Sequence, residues 1–166
     1  MGRYPTQEDP VKSIRLLATA LATAILGLAA AAAPGAAAED PIAARQALMS
    51  SNGASAAVAG AILKDELAYS PVVGKSVIAS LEATAMVFGD FFPEGSLDPA
   101  NSSAAPKIWE DPAGFTDVLA KFQQAAAAAN TAAGKEGPAD KAAFAAAVQP
   151  VLETCRSCHE GFRVKK

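Results

Sequence analysis

Near the end of this 166-residue chain stands Cys155-Arg156-Ser157-Cys158-His159, and the rest of the sequence has to be arranged around it. C-x-x-C-H is the attachment signal of a c-type haem. Two thiols at this spacing can add across the two vinyl groups of one porphyrin, and the adjoining histidine then falls under the iron as proximal ligand. Other uses of such cysteines fit poorly. A redox C-x-x-C is expected beside a βαβ pattern, and the flanking sequence has none. A structural zinc site needs four ligands, whereas the chain holds two Cys and one His. The one histidine directly follows the one cysteine pair.

The other end of the chain reads as a targeting segment. Arg3, Lys12 and Arg15 precede an apolar and small-residue run over 16–33, broken by Pro34-Gly35. Ala36-Ala37-Ala38 then offers an A-x-A cleavage site ahead of Glu39, completing the layout of a secretory signal peptide. The run is also long enough to be weighed as a membrane anchor, but its weakly hydrophobic, alanine-rich content favours cleavage. The expected organisation is a signal peptide over 1–38 and one domain over 39–166, in the periplasm and with no membrane attachment after cleavage. Three of the 14 Lys+Arg and two of the 17 Asp+Glu lie in 1–38, leaving 11 and 15 in the domain, a formal charge of −4. That balance speaks against nucleic acid, which requires a clustered basic patch.

The domain reads as helix throughout, with no alternating apolar pattern to compete. Asp40-Pro41, Ser70-Pro71 and Asp111-Pro112 each pair a capping side chain with proline at the first helical position, where a missing N–H costs nothing. These starts predict helices over Pro41–Leu63, Pro71–Phe91 and Pro112–Ala133, and a fourth over 138–164 after the breaker Gly134-Lys135-Glu136-Gly137. Pro150 should kink the fourth. A loop over 93–111 separates the second helix from the third. The expected fold is all-α, an antiparallel up-down-up-down four-helix bundle with covalent haem c near its C-terminus. Its alanine-rich helices bury little area per residue, so the haem is expected to supply much of the apolar interior.

A C-terminal C-x-x-C-H-E-x-F-R resembles the cytochrome c′ family, the class II cytochromes c. Ala44-Arg45-Gln46-Ala47-Leu48-Met49, Phe92-Pro93-Glu94-Gly95-Ser96, Pro106-Lys107-Ile108-Trp109 and Phe122-Gln123-Gln124-Ala125-Ala126 add to the likeness in the right order. The resemblance implies one haem c between the helices, often in a homodimer built from the first two. It also implies that Met49, four residues after Arg45, faces the distal side of the haem, with Arg45 in reach of a propionate and Gln46 beside it among the cofactor-binding residues. Phe88, Phe91 and Phe92 are implied to line the haem, and Arg163 to stand beside its proximal face. Trp109 is expected to anchor its loop rather than touch the haem.

Two functions remain open on these grounds. In one, Met49 is the second axial ligand and the protein carries single electrons between periplasmic redox partners. The run Gln46-x-Leu48-Met49-x-x-Asn52-Gly53 inclines toward this low-spin branch. In the other, Met49 only overhangs a five-coordinate iron that takes a small gas such as nitric oxide. Neither makes the chain an enzyme: no Ser/His/Asp set can form when the single histidine, His159, is an iron ligand.

Overall fold

The computed structural model describes residues 40–166. The expected signal peptide over 1–38 and its cleavage site lie outside the described residues. Four long helices, α1 (Pro41–Leu63), α2 (Pro71–Val87), α4 (Pro112–Ala133) and α5 (Lys141–Phe162), form the bundle, and a short α3 (Lys107–Glu110) sits ahead of α4. The described residues contain no strand, only an isolated antiparallel bridge between Ala104 and Arg163.

The capping signals in the sequence operate as local chemistry requires. Asp40 accepts from the amides of Ile42 and Ala43 at 2.9 Å each. Ser70 accepts from Val73 at 3.3 Å and Asp111 from Gly114 at 3.0 Å. Each satisfies helical N–H groups that have no intrahelical acceptor. Proline follows each cap, with its fixed φ already helical.

Several boundaries depart from the sequence expectation. The last helix begins at Lys141, capped by Asp140 through the Ala143 amide at 2.8 Å, rather than at Pro138. The segment before it is held by distant partners. Gly137 adopts φ +90° hard against the Pro71 carbonyl, where a side chain would collide, and the Pro138 carbonyl accepts from the Tyr69 hydroxyl. The helix also stops at Phe162 instead of 164, because Arg163 is extended and bridged to Ala104. The end of the second helix tightens into a 3-10 turn over Phe88–Phe91, and α3 occupies part of the expected loop. Helix α5 runs on through Pro150.

The packing is uneven around the bundle. Helix α4 lies against both α5 and α2, and α1 leans on α2, while the seam between α1 and α5 is sparse. Away from the haem motif the seams close over Ile62, Ile78, Leu81, Phe144, Val148 and Val151, all essentially inaccessible to solvent. Alanines 59, 126, 129 and 133 complete that core by letting the helices approach closely. At the other end a smaller apolar group forms around Ile108, Phe115 and Phe162.

Candidate cofactor site

Between α1, α4 and α5, at the sparse seam, lies a cavity of about 520 Å³. Nine of the ten residues that the sequence places at the haem border it. Helix α1 contributes Arg45, Gln46 and Met49; the segment after α2 contributes Phe88 and Phe92; the C-terminal segment contributes Cys155, Cys158, His159 and Arg163. Arg45, Met49, Asn52, Gly53 and Ala56 recur at three- and four-residue steps, so one face of α1 forms a wall. Cys155, Cys158, His159 and Phe162 repeat that spacing on α5. Met86, the other methionine of the described residues, is 70% exposed and lies off the cavity. Phe91 does not border the cavity either; its carbonyl serves Arg45 instead.

The walls are held by contacts from well outside the motif. Ala105 donates its amide to the Phe162 carbonyl at 3.0 Å, and Val164 donates to Ser103 at 2.9 Å. These two bonds clip the loop after the 3-10 turn onto the C-terminal segment. Arg163 therefore reaches the cavity from extended backbone, not from the turn of helix that carries His159. Trp109 stays out of the cavity and donates to the Pro93 carbonyl at 3.2 Å. An aromatic run backs the cavity: Phe88 on Phe92 at 5.1 Å, Phe92 on Phe115 at 4.8 Å, and Phe115 on Phe162 at 5.4 Å between ring centroids.

Arg45 is 4% exposed, and among the described residues no carboxylate pairs with it. Its guanidinium donates to the Phe91 carbonyl at 2.8 Å, to the Ser96 hydroxyl at 2.9 Å and to the Ser96 carbonyl at 2.9 Å. Its carbon stands 4.7 Å from the Phe92 ring centre, a cation–π contact. Burial lowers its pKa, offset in part by the charge of Asp40. Gln46 reaches the same loop, donating to the Asn101 carbonyl at 2.6 Å. Burial also lowers the pKa of His159, helped by the Arg163 charge, which favours the neutral imidazole that metal ligation requires. As free thiols, Cys155 and Cys158 are both pushed up from the ordinary value, mainly by burial.

The fit to a haem rests on what the walls leave unfinished. Two buried polar atoms lack any partner, Arg45 Nε and Asn52 Oδ1, and both residues border the cavity. Native interiors seldom leave such atoms unmatched, and among the described residues these two flank the cavity wall. Two thiols and an imidazole on one wall, aromatic rings behind and a guanidinium at the rim suit a porphyrin with charged side arms.

Residues 40–163 match the family described as Cytochrome C′. The chain belongs to the cytochrome c′ family. It is 36% identical over 127 residues to a cytochrome c′ of Rhodopseudomonas palustris, covering 76% of this chain and 84% of that one. A cytochrome c-556 of Agrobacterium tumefaciens is 34% identical over 122 residues, covering 74% and 95% respectively. The solved cytochrome c′ of Rhodopseudomonas palustris superposes with a TM-score of 0.68 at 35% identity, over 76% of this chain and 98% of that chain. The fold is thus the four-helix bundle of that family and the cofactor is covalent haem c with its iron. Bound haem supplies a one-electron iron couple and an axial coordination position.

Among the cavity residues, sequence reading missed Asn52 as a site residue, along with Phe115 and Phe162. A signal for Asn52 was present, since it falls three residues beyond Met49 on the same helical face. Its burial depends on how α1 lies in the bundle.

Proposed function

We propose that this chain is a periplasmic haem protein of the cytochrome c′ type with Cys155 and Cys158 as thioether anchors and His159 as proximal ligand. Met49 shields the opposite face of the iron, which stays open to a small gas such as nitric oxide. The observation that carries this reading is the anchorage of α1. Arg45 ties that helix to Phe91 and Ser96 through three hydrogen bonds, and α2 rather than α5 supports its length. A wall fixed on its own side does not slide toward the iron at little cost, because packed interiors resist small displacements. Arg45 Nε and the Gln46 amide are the groups that would hold a propionate at the rim.

A second reading, a six-coordinate electron carrier with Met49 as the axial ligand, is favoured by one observation. Among the described residues, Met49 is the sole thioether on the cavity wall. The absorption spectrum of the ferrous holoprotein separates the two. The open-face reading expects a broad, merged α/β band and ready uptake of carbon monoxide. A sharp low-spin α band that Met49→Ala converts to high spin would replace it with the electron carrier.

A further inference from the structure

The cavity opens to solvent along one line. Of the residues that border it, the exposed ones are Gln46, Ser50 and Gly53 on α1, with His159 and Arg163 on the C-terminal segment. Its mouth therefore runs along the sparse seam between α1 and α5. The other sides are shut. Phe88, Phe115 and Phe122 are buried on the side of α2 and α4. The bonds from Ala105 to Phe162 and from Val164 to Ser103 close the loop side, and Gln46 is held to Asn101 at the loop end. Within the mouth, Gly53 lies one turn beyond Met49 on the same face of α1.

Nothing in the fold requires a glycine at position 53. Its backbone is ordinary helix, and no heavy atom stands within 4 Å of where a Cβ would be. A glycine inside a helix weakens it relative to alanine. Neither backbone geometry nor close packing accounts for the missing side chain, but at the mouth its absence leaves a gap beside Met49. Ala56, the next cavity residue along α1, is small as well. From this we propose that Gly53 and Ala56 frame the portal through which a diatomic gas passes between solvent and the open axial face. The assignment rests on the open-face reading above and deepens it by naming where the ligand enters. A portal limits passage in both directions alike, so narrowing it slows capture and escape by one factor and leaves the affinity unchanged. Gly60 supplies a control within the same helix. It is equally free of neighbours around its missing Cβ, and it does not border the cavity.

The test follows carbon monoxide on the ferrous holoprotein, its uptake by rapid mixing and its release by displacement with nitric oxide. Gly53→Leu is expected to slow both rates roughly five- to tenfold, as crowding at the low end of ordinary overpacking does, with the affinity unchanged. Gly53→Ala should slow both rates less and raise the urea midpoint of unfolding, since alanine favours helix. Gly60→Ala should raise the midpoint likewise and leave both rates alone. A wild type that takes up no carbon monoxide overturns the open-face reading, and the portal with it. Uptake and release at wild-type rates in both Gly53 variants overturn the portal alone. A changed affinity overturns it too, because the added side chain then meets the bound gas rather than its path. Loss of haem incorporation by both Gly53 variants does the same, since the glycine then serves the fit of the porphyrin. Equal slowing by Gly60→Ala also overturns it, because that residue lies off the cavity.

Discussion

The two ends of the bundle solve the same packing problem in opposite ways. At the end remote from the haem motif, Phe144, Ile62, Ile78, Leu81 and Val148 meet one another with almost no solvent contact. The turn there is drawn tight by Gly137 against Pro71 and by Tyr69 on Pro138, and Gly74 leaves room for the Tyr69 ring. At the motif end, α1 and α5 stand apart, two buried polar atoms go unmatched, and bonds from a long loop stand in for helix contacts. The closed end is complete as a protein core. The open end is complete only with a cofactor, and its rigidity comes from the Arg45 anchorage and the clip between 103–105 and 162–164.

This difference is broken most severely by denying the haem its anchors. Cys155→Ala with Cys158→Ala should give a protein without covalent haem, as its mass will show. Its open end should be molten, with lost near-ultraviolet dichroism and fast amide exchange over α1 and the C-terminal segment. Slow-exchanging amides should be confined to helix segments around Phe144 and Leu81. Uniform protection across the whole chain would mean that the two ends do not differ as described.

A second change strikes the closed end alone. Phe144→Ala in the holoprotein should cost about 3–5 kcal/mol in urea unfolding, the usual range for emptying a packed aromatic site. The haem spectrum should stay native, since Phe144 does not border the cavity. A spectral change would show that the two ends are mechanically coupled.

The smallest effect concerns Asp98, which organises the loop at the open end. The Asn101 side chain, then backbone amides, hold its carboxyl below the ordinary value of 3.8. A depressed carboxyl stabilises the fold above its unfolded pKa and loses that contribution as pH falls through the folded one. The wild type should accordingly be slightly more stable than Asp98→Ala at pH 5–6, with the gap fading below about pH 4. An equal or growing gap in acid would assign the stabilisation to something other than the carboxylate.

Much of this architecture was legible in the residues alone because the forces involved are local. Asp40, Ser70 and Asp111 cap amides two or three positions away, so the starts of α1, α2 and α4 could be read directly. The motif Cys155 to His159 has its meaning in its own spacing, and the four-residue step from Arg45 to Met49 puts them on one face of a helix. What distant residues decide could not be read this way. The start of α5 moved from Pro138 to Lys141 because Tyr69 and Pro71, far earlier in the chain, hold the preceding turn. Arg163 left the helix because its backbone pairs with Ala104, far earlier in the chain. The partners of Arg45 at Phe91 and Ser96, and the unmatched amide of Asn52, exist only once α1 has docked. Helix periodicity assigns a residue to a face; burial and hydrogen-bond satisfaction depend on what that face meets, and tertiary packing alone decides that.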